Sequence, residues 1–302
     1  MFAHSRPPQA DCEAFASLYR RFSLDCRQEK PLSHSILRLR ICLDPSNPSL
    51  SQMSRVYLPV LRFVDNRISI TGEKARYLTS VLRCRKGDDL IVFGGGADCF
   101  RTTISEVGRQ EVIVEVTEKF PCDLESPIHI ILAQALLKGE KMDLVIQKTT
   151  ELGVTEILPV VTSRSQLRET RKLSRWRKVA EEASRQSGRN VIPVVHEPVQ
   201  FGSIFSLHAS LFNEGLMFYE ENGIRLSRAV DVLKQKSDTA ASFTKRGLLV
   251  VIGPEGGFTG EEIALAREKD LVIVSMGQRI LRAETAAISA ITLVQFLWGD
   301  MG

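Results

Sequence analysis

The sequence predicts an α/β protein whose parallel sheet is covered on both faces, preceded by a small β-barrel. Three observations carry this reading. After residue 122, apolar strand-like runs alternate with amphipathic helical stretches, the signature of a parallel sheet. Between 55 and about 120 the runs are short, alternating and punctuated by glycine turns, as in antiparallel strands. The chain has 302 residues, 43% of them apolar, enough for one large or two ordinary domains without metal or disulfide staples. With 25% charged residues and a mean hydropathy of −0.04, a mostly disordered chain is excluded. The longest apolar stretches, 247–252 and 128–137, fall far short of the roughly 20 residues that span a bilayer, so no membrane partner is expected.

Residues 1–52 stand apart. They mix Pro7-Pro8, eight serines and seven basic against five acidic residues, without sustained periodicity. The acids argue against a transit peptide. We expect a poorly ordered extension, or a reading frame opened upstream of a true start at Met53. No signal-peptide core is visible near the start, which makes the cytoplasm the default location. The six cysteines form no CxxC pair and the five histidines no metal-ligand spacing; structural or surface roles are expected for all of them, and no metal.

The barrel is read over 53–122. Alternation at Arg67–Ile70, Asp89–Phe93, Phe100–Val107 and Glu111–Glu118 gives the strands, with turns at Gly87, Gly94–Gly96 and Gly108. One helical insert, Gly72 to Leu82, puts Ala75, Leu78 and Leu82 on one face. Gly94-Gly95-Gly96 joins two strands and lacks the context of a nucleotide loop.

The α/β domain is read over 123–302. Strand Ile128–Ala135 leads to helix Glu140–Leu152, whose stripe is Met142, Val145, Ile146 and Thr149 and whose stop signal is Gly153. Strand Glu156–Val161 follows, then a basic-faced helix Ser174–Ser187 with Trp176, Val179 and Ala183 inward. Strand Leu248–Ile252, helix Gly260–Glu268, strand Leu271–Ser275 and a terminal helix Glu284–Trp298 complete it.

Two loops concentrate the chemistry. Strand Leu248–Ile252 runs into Gly253-Pro254-Glu255-Gly256-Gly257, and Thr259 with Glu262 forms a capping box that opens the next helix. Ligands of open α/β sheets bind beyond the carboxyl ends of strands, where this loop lies. It lacks the lysine of a P-loop, and its glycines allow backbone to approach a ligand closely. The second loop, Met276 to Ala286, crowds Arg279, Arg282, Glu284 and Thr285 ahead of an apolar helix; Arg279 and Arg282, three apart, can face one cleft. A third signal is charge: nine Lys or Arg against three Glu within 164–189, in a chain of net charge +4. Such a patch suits a phosphate-rich partner, although a solvated helix face stays open on charge alone.

Gly253-Pro254-Glu255-Gly256-Gly257 together with Gly277-Gln278-Arg279-Ile280-Leu281-Arg282-Ala283-Glu284-Thr285-Ala286 resembles the paired signatures of the SPOUT methyltransferases. More narrowly the chain resembles the bacterial 16S ribosomal RNA uridine-1498 N3-methyltransferase family. Lys138 to Asp143, Gln147-Lys148, Glu151 to Val154 and Gln186-Ser187-Gly188-Arg189 agree with it, as does Arg55-Val56-Tyr57 at the start of a PUA-like RNA-binding barrel. The resemblance covers about 53–302. It departs from the family at Arg185, where an acid is usual, and at Met276, where leucine is commoner.

The resemblance implies a SPOUT-type, trefoil-knotted parallel sheet domain working as a homodimer on the small ribosomal subunit, with S-adenosylmethionine as cofactor. Ile252, Gly253, Pro254, Glu255, Gly256, Met276, Gly277, Ile280, Leu281, Ala283, Thr285 and Ala286 occupy the cofactor-binding positions. For RNA we expect Arg55, Arg83, Arg164, Arg168, Arg171, Lys172, Arg185, Gln186 and Arg189. An always-cationic arginine suits stabilisation of a uracil anion and makes a poor base. Arg282, or failing it Arg279, is therefore expected to hold the uracil; Glu284 is the candidate proton acceptor, with helix capping as its other role. Two other functions are compatible with the sequence: methylation of another RNA atom such as a ribose 2′-hydroxyl, and RNA-binding assembly without catalysis.

Overall fold

The computed structural model describes residues 53–122, 124–221, 223–236 and 247–302. The expectations for 1–52 lie outside these residues. A six-stranded sheet comes first: β1 (Ser54–Tyr57), β2 (Phe63–Val64), β3 (Arg67–Thr71), β4 (Asp89–Phe93), β5 (Asp98–Val107) and β6 (Glu111–Pro121), in the order β1-β4-β5-β6-β3-β2. Only β1 and β4 pair in parallel. Alternation along β3 points Ile68 and Ile70 inward, and they share one core with Val56, Leu90, Val92, Val112 and Val114. The sheet is thus rolled on itself as a PUA-like barrel. The helical insert plugs it: α1 (Gly72–Arg76) continues into a wider turn over Tyr77–Val81, and Ala75 and Leu78 are fully buried. Cys99 of β5 and Cys122, just past β6, form a disulfide, a bond that their spacing does not reveal.

An eight-stranded, wholly parallel sheet follows. Its strands are β7 (Ile130–Ala135), β8 (Glu156–Val161), β9 (Val194–Val195), β10 (Val199–Gln200), β11 (Phe212–Phe218), β12 (Ile224–Arg225), β13 (Gly247–Ile252) and β14 (Val272–Ser275). The order is β10-β8-β7-β13-β11-β14-β12, with β9 also on β8. Strands β7, β8 and β13 are buried at every position, as near-continuous apolar runs of a doubly covered sheet should be. One core packs α2 (Lys141–Glu151), α3 (Leu173–Ser187), α5 (Leu226–Lys236) and α7 (Ala283–Trp298) on one face. A second packs α4 (Ile204–Leu207) and α6 (Gly260–Glu268) on the other. The expected stripe of α2 is buried, and Gly153 takes φ 88°, the left-handed C′ position that ends the helix. Along α3, Ala180 rather than Val179 is fully buried.

Strand β11 carries no sequence expectation, yet it pairs with both β13 and β14. Its opening residues, Asn213 and Glu214, are polar and half-exposed or exposed, so the strand reads as a loop until Gly215. Among the described residues no helix is long and apolar enough to cross a membrane.

The two ends of this sheet differ. At the amino ends, Glu156 lies between His129 (3.1 Å) and His196 (2.6 Å), and His208 stands edge-on to His196. Burial pushes the Glu156 pKa up, but the two histidine hydrogen bonds outweigh it and hold the carboxyl at about 2. The carboxyl ends are open and hold the candidate site.

Candidate active site

Three neighbouring strands, β13, β11 and β14, end at one cavity of about 340 Å³ and each delivers a loop to its wall. After β13 come Gly253, Pro254, Glu255, Gly257 and Phe258. After β11 come Tyr219 and Glu220, and after β14 come Met276, Gly277, Arg279, Ile280, Leu281 and Arg282, with Ala283 and Ala286 from the start of α7. Lys141, at the start of α2, closes the rim by an ion pair of 2.8 Å to Glu255. A crevice at the carboxyl ends of parallel strands is where such sheets bind ligands.

The first loop is held by short-range chemistry. Thr259 accepts from the backbone of Glu262, and Glu262 in turn accepts from the Thr259 and Ser163 backbone N–H groups at 2.9 and 2.8 Å. The expected capping box is present. Two of the glycines also serve packing. A Cβ on Gly253 would meet the Phe258 ring at 2.9 Å, and one on Gly256 would meet Arg164 at 3.1 Å. Gly256 and Thr285, both exposed, are not among the residues that line the cavity. Gly257 and Gly277 need their freedom for a different reason, at φ 68° and 92°.

Of the expected catalytic residues, Arg279 and Arg282 line the cavity and are exposed to it. Glu284 is half-buried in the first turn of α7 and lies off the wall. It makes no capping bond, and its Oε2 is buried without a hydrogen-bond partner among the described residues. Glu255 is no better as a base. Burial disfavours its charge, but the Lys141 hydrogen bond prevails and holds its pKa below the usual carboxylate range; the same bond raises that of Lys141.

The basic stretch divides in two. Arg175 pairs with Asp143 at 2.7 Å, Arg177 lies 3.8 Å from Glu197, Lys178 lies 3.7 Å from Glu73, and Arg185 pairs with Glu182 while stacking over Tyr77. Gln186 donates to the same Glu182. Arg189 is 3% exposed; it bonds Glu125 at 2.6 and 2.9 Å and donates to the Thr150 and Val154 carbonyls. Arg55 lies against Phe93 and donates to the Arg189 carbonyl at 3.3 Å; burial lowers its pKa to about 10, with Glu125 opposing. Arg189 and Arg55 are thus seam residues between the two sheets, together with Asn190, which donates to the Gly96 carbonyl and lies 3.3 Å from Cys99 Sγ. For Arg189 this corrects the expectation of RNA contact, since its guanidinium is buried and held by protein acceptors; Arg55 is half-buried, and its Nε has no hydrogen-bond partner among the described residues.

The other half is free. Arg164, Arg168, Arg171 and Lys172 are exposed and form no ion pair within 4 Å among the described residues, Arg164 donating to the Gly256 carbonyl at 3.1 Å and Lys172 to that of Gly139 at 3.0 Å. Arg83 is likewise exposed on the barrel, at φ 54°. The loop 163–172 therefore forms a basic border beside the cavity.

Residues 124–295 match the model of an RNA methyltransferase domain, and 70–117 that of an RNA methyltransferase PUA domain. Ribosomal RNA small subunit methyltransferase E of Synechocystis is 32% identical, over 88% of this chain and 84% of its own. The chain belongs to this methyltransferase E family. The enzyme of that name from Neisseria gonorrhoeae, solved with S-adenosylmethionine, is 31% identical with a TM-score of 0.72, covering 83% of this chain and 100% of its own. A methyltransferase from Legionella pneumophila, also solved with that cofactor, is 31% identical with a TM-score of 0.73, covering 82% and 99%. The architecture is that of the SPOUT methyltransferases, and the family's paired signatures coincide with two of the three loops round the cavity. The third, Phe218 to Glu220, was not anticipated, and Lys141, although inside the family-like stretch Lys138 to Asp143, was not assigned to the site. The run Leu216-Met217-Phe218-Tyr219 followed by Glu220-Glu221-Asn222-Gly223 is the strand-then-turn signal that announces it.

Proposed function

We propose that this protein transfers the methyl group of S-adenosylmethionine to N3 of uridine 1498 in 16S ribosomal RNA, acting on the small ribosomal subunit as a cytoplasmic homodimer. The observation that carries this is the convergence of both family signatures, with Arg279 and Arg282, on one cavity at the carboxyl ends of β13, β11 and β14. The cavity fits the cofactor. Its walls are apolar at Ile252, Phe258, Met276, Leu281 and Ala286, its rim carries the carboxylates Glu220 and Glu255, and nothing lies within 4 Å of where a Gly277 Cβ would stand. Apolar walls with a few convergent polar groups are the usual composition of such a site.

When bound, the cofactor supplies an electrophilic methyl on a cationic sulfur. The apolar walls and the backbone of Gly253–Glu255 and Met276–Gly277 would hold it, while Glu220 and Glu255 complement its positive charge. Uridine N3–H is a weak acid that gives its proton to solvent water, and charge develops on the uracil oxygens as it leaves. Arg282 stabilises that charge and Arg279 assists, each remaining cationic throughout. The free loop 163–172 holds RNA phosphates beside the cavity. Supporting the dimer, the packed helices α2 and α7 leave Leu144, Leu293 and Phe296 exposed on the outer surface. We further propose a division into a PUA-like RNA-binding domain over 53–122 and a methyltransferase domain over 123–302.

The test is methylation of small subunits lacking the modification, with the product nucleoside read by mass spectrometry. 3-Methyluridine at position 1498 is expected. A methyl on ribose, or at another nucleotide, overturns the assignment.

A further inference from the structure

The barrel carries a second concavity, of about 470 Å³, lined by Gly72, Arg76, Arg109 and Gln110. Arg76 closes α1 and Arg109 sits in the turn between β5 and β6, so two separate elements bring two guanidiniums to one cleft. Both are exposed, and neither pairs with a carboxylate of the described residues. The neighbouring acids are engaged: Glu111 takes the Ser69 hydroxyl at 2.5 Å, and Glu73 faces Lys178. Most basic side chains of α3 are neutralised by ion pairs, whereas the cleft gathers two unpaired guanidiniums into one concavity. Uncompensated guanidiniums in a concavity, beside an amide that both donates and accepts, are suited to phosphodiester oxygens.

Its distance from the cavity is set by α3. Near its start, Lys172 bonds Gly139 and Arg175 bonds Asp143, both on the segment that carries Lys141 to the rim. Further along, Lys178 and Glu181 meet Glu73 and Lys74 of α1. At a rise of 1.5 Å per residue, the two contact points, centred some six residues apart on α3, are about 9 Å apart along the helix axis. The seam at Arg189, Asn190 and Arg55 keeps that separation fixed.

We infer that the cleft of Gly72, Arg76, Arg109 and Gln110 is a phosphate anchor for substrate RNA, gripping the strand a few nucleotides away from the one being methylated. It rests on the RNA-methylation reading above. The loop 163–172 and the cleft then form a two-point footprint with the neutralised helix between them.

The test uses the full chain with Arg76→Gln and Arg109→Gln together, and Arg76→Lys with Arg109→Lys as the charge-keeping control. Affinity is measured across a salt series for two RNAs, one restricted to the nucleotides round the target and one extended on both sides. With the extended RNA, the Gln variant should bind several-fold more weakly at low salt. Its log–log salt slope should be shallower by about 1.4, two contacts to a single strand. The Lys variant should keep the slope, and the restricted RNA should bind both variants like the parent. The loss should appear in KM for the subunit rather than in kcat. An unchanged slope with the extended RNA overturns the anchor, even where the parent methylates normally. A parent that neither binds the cofactor nor methylates RNA would instead remove the functional reading beneath it.

Discussion

Two halves of one basic stretch have opposite fates. Arg164, Arg168, Arg171 and Lys172 lie in the loop before α3 and stay exposed, without a carboxylate partner among the described residues. Arg175, Arg177, Lys178, Arg185 and Arg189 lie on α3 or just after it, and each meets an acid. Charge of one sign along a sequence is therefore not a patch in space. What separates the halves is the supply of carboxylates: Glu182 from α3 itself, Asp143 from α2, Glu73 from the barrel and Glu125 from the link between the sheets.

The comparison breaks most sharply at Arg189. Replacing it with alanine strands Glu125 and the Thr150 and Val154 carbonyls in a part-buried setting. A loss of about 3–5 kcal/mol is expected, the scale of breaking a buried ion pair, seen as a fall of roughly 10 °C in melting temperature. A fall of a degree or two would place Arg189 with the free half. Next comes Arg282, exposed in the cavity. Arg282→Ala should leave the melting temperature and RNA affinity near normal while slowing single-turnover methyl transfer about 100-fold, the effect of removing one transition-state donor. Normal turnover would take Arg282 out of the chemistry. The smallest effect belongs to the free loop. Arg168→Gln with Arg171→Gln should leave stability within about 0.5 kcal/mol of the parent and cofactor binding by calorimetry unaltered. The slope of RNA affinity against salt should become shallower by about 1.4. If the full slope persists, the loop does not track phosphates.

Much of this was legible in the sequence because it is local. The capping box of Thr259 and Glu262 spans four residues, the Gly153 stop follows its helix directly, and the all-apolar run of β13 announces a doubly covered strand. The two signature loops are contiguous segments, so both could be placed at the site in advance. What escaped depends on partners remote in the chain. Arg189 is buried by Glu125, 64 residues away, and Lys141 reaches the rim through Glu255, 114 residues away. Neither distance has a periodicity to betray it. Strand β11 escaped for another reason: its polar first turn hides a central strand, and with it the Tyr219–Glu220 wall of the cavity.

The amino ends of the parallel sheet bear on how the enzyme's pH dependence is to be read. Glu156 keeps its charge down to about pH 2. Because its folded-state pKa is depressed, the stabilisation it brings is complete above its ordinary value of 4.5 and is lost as the pH falls through about 2. That window lies well below the range in which the uracil N3–H of the proposed reaction is expected to titrate. The acid-labile carboxylate and the proton that must leave the substrate sit at opposite edges of one sheet, and they ionise in separate territories of pH. A rate that climbs from roughly pH 6 towards alkaline values would then report proton loss in the pocket, undistorted by the carboxylate at the far edge.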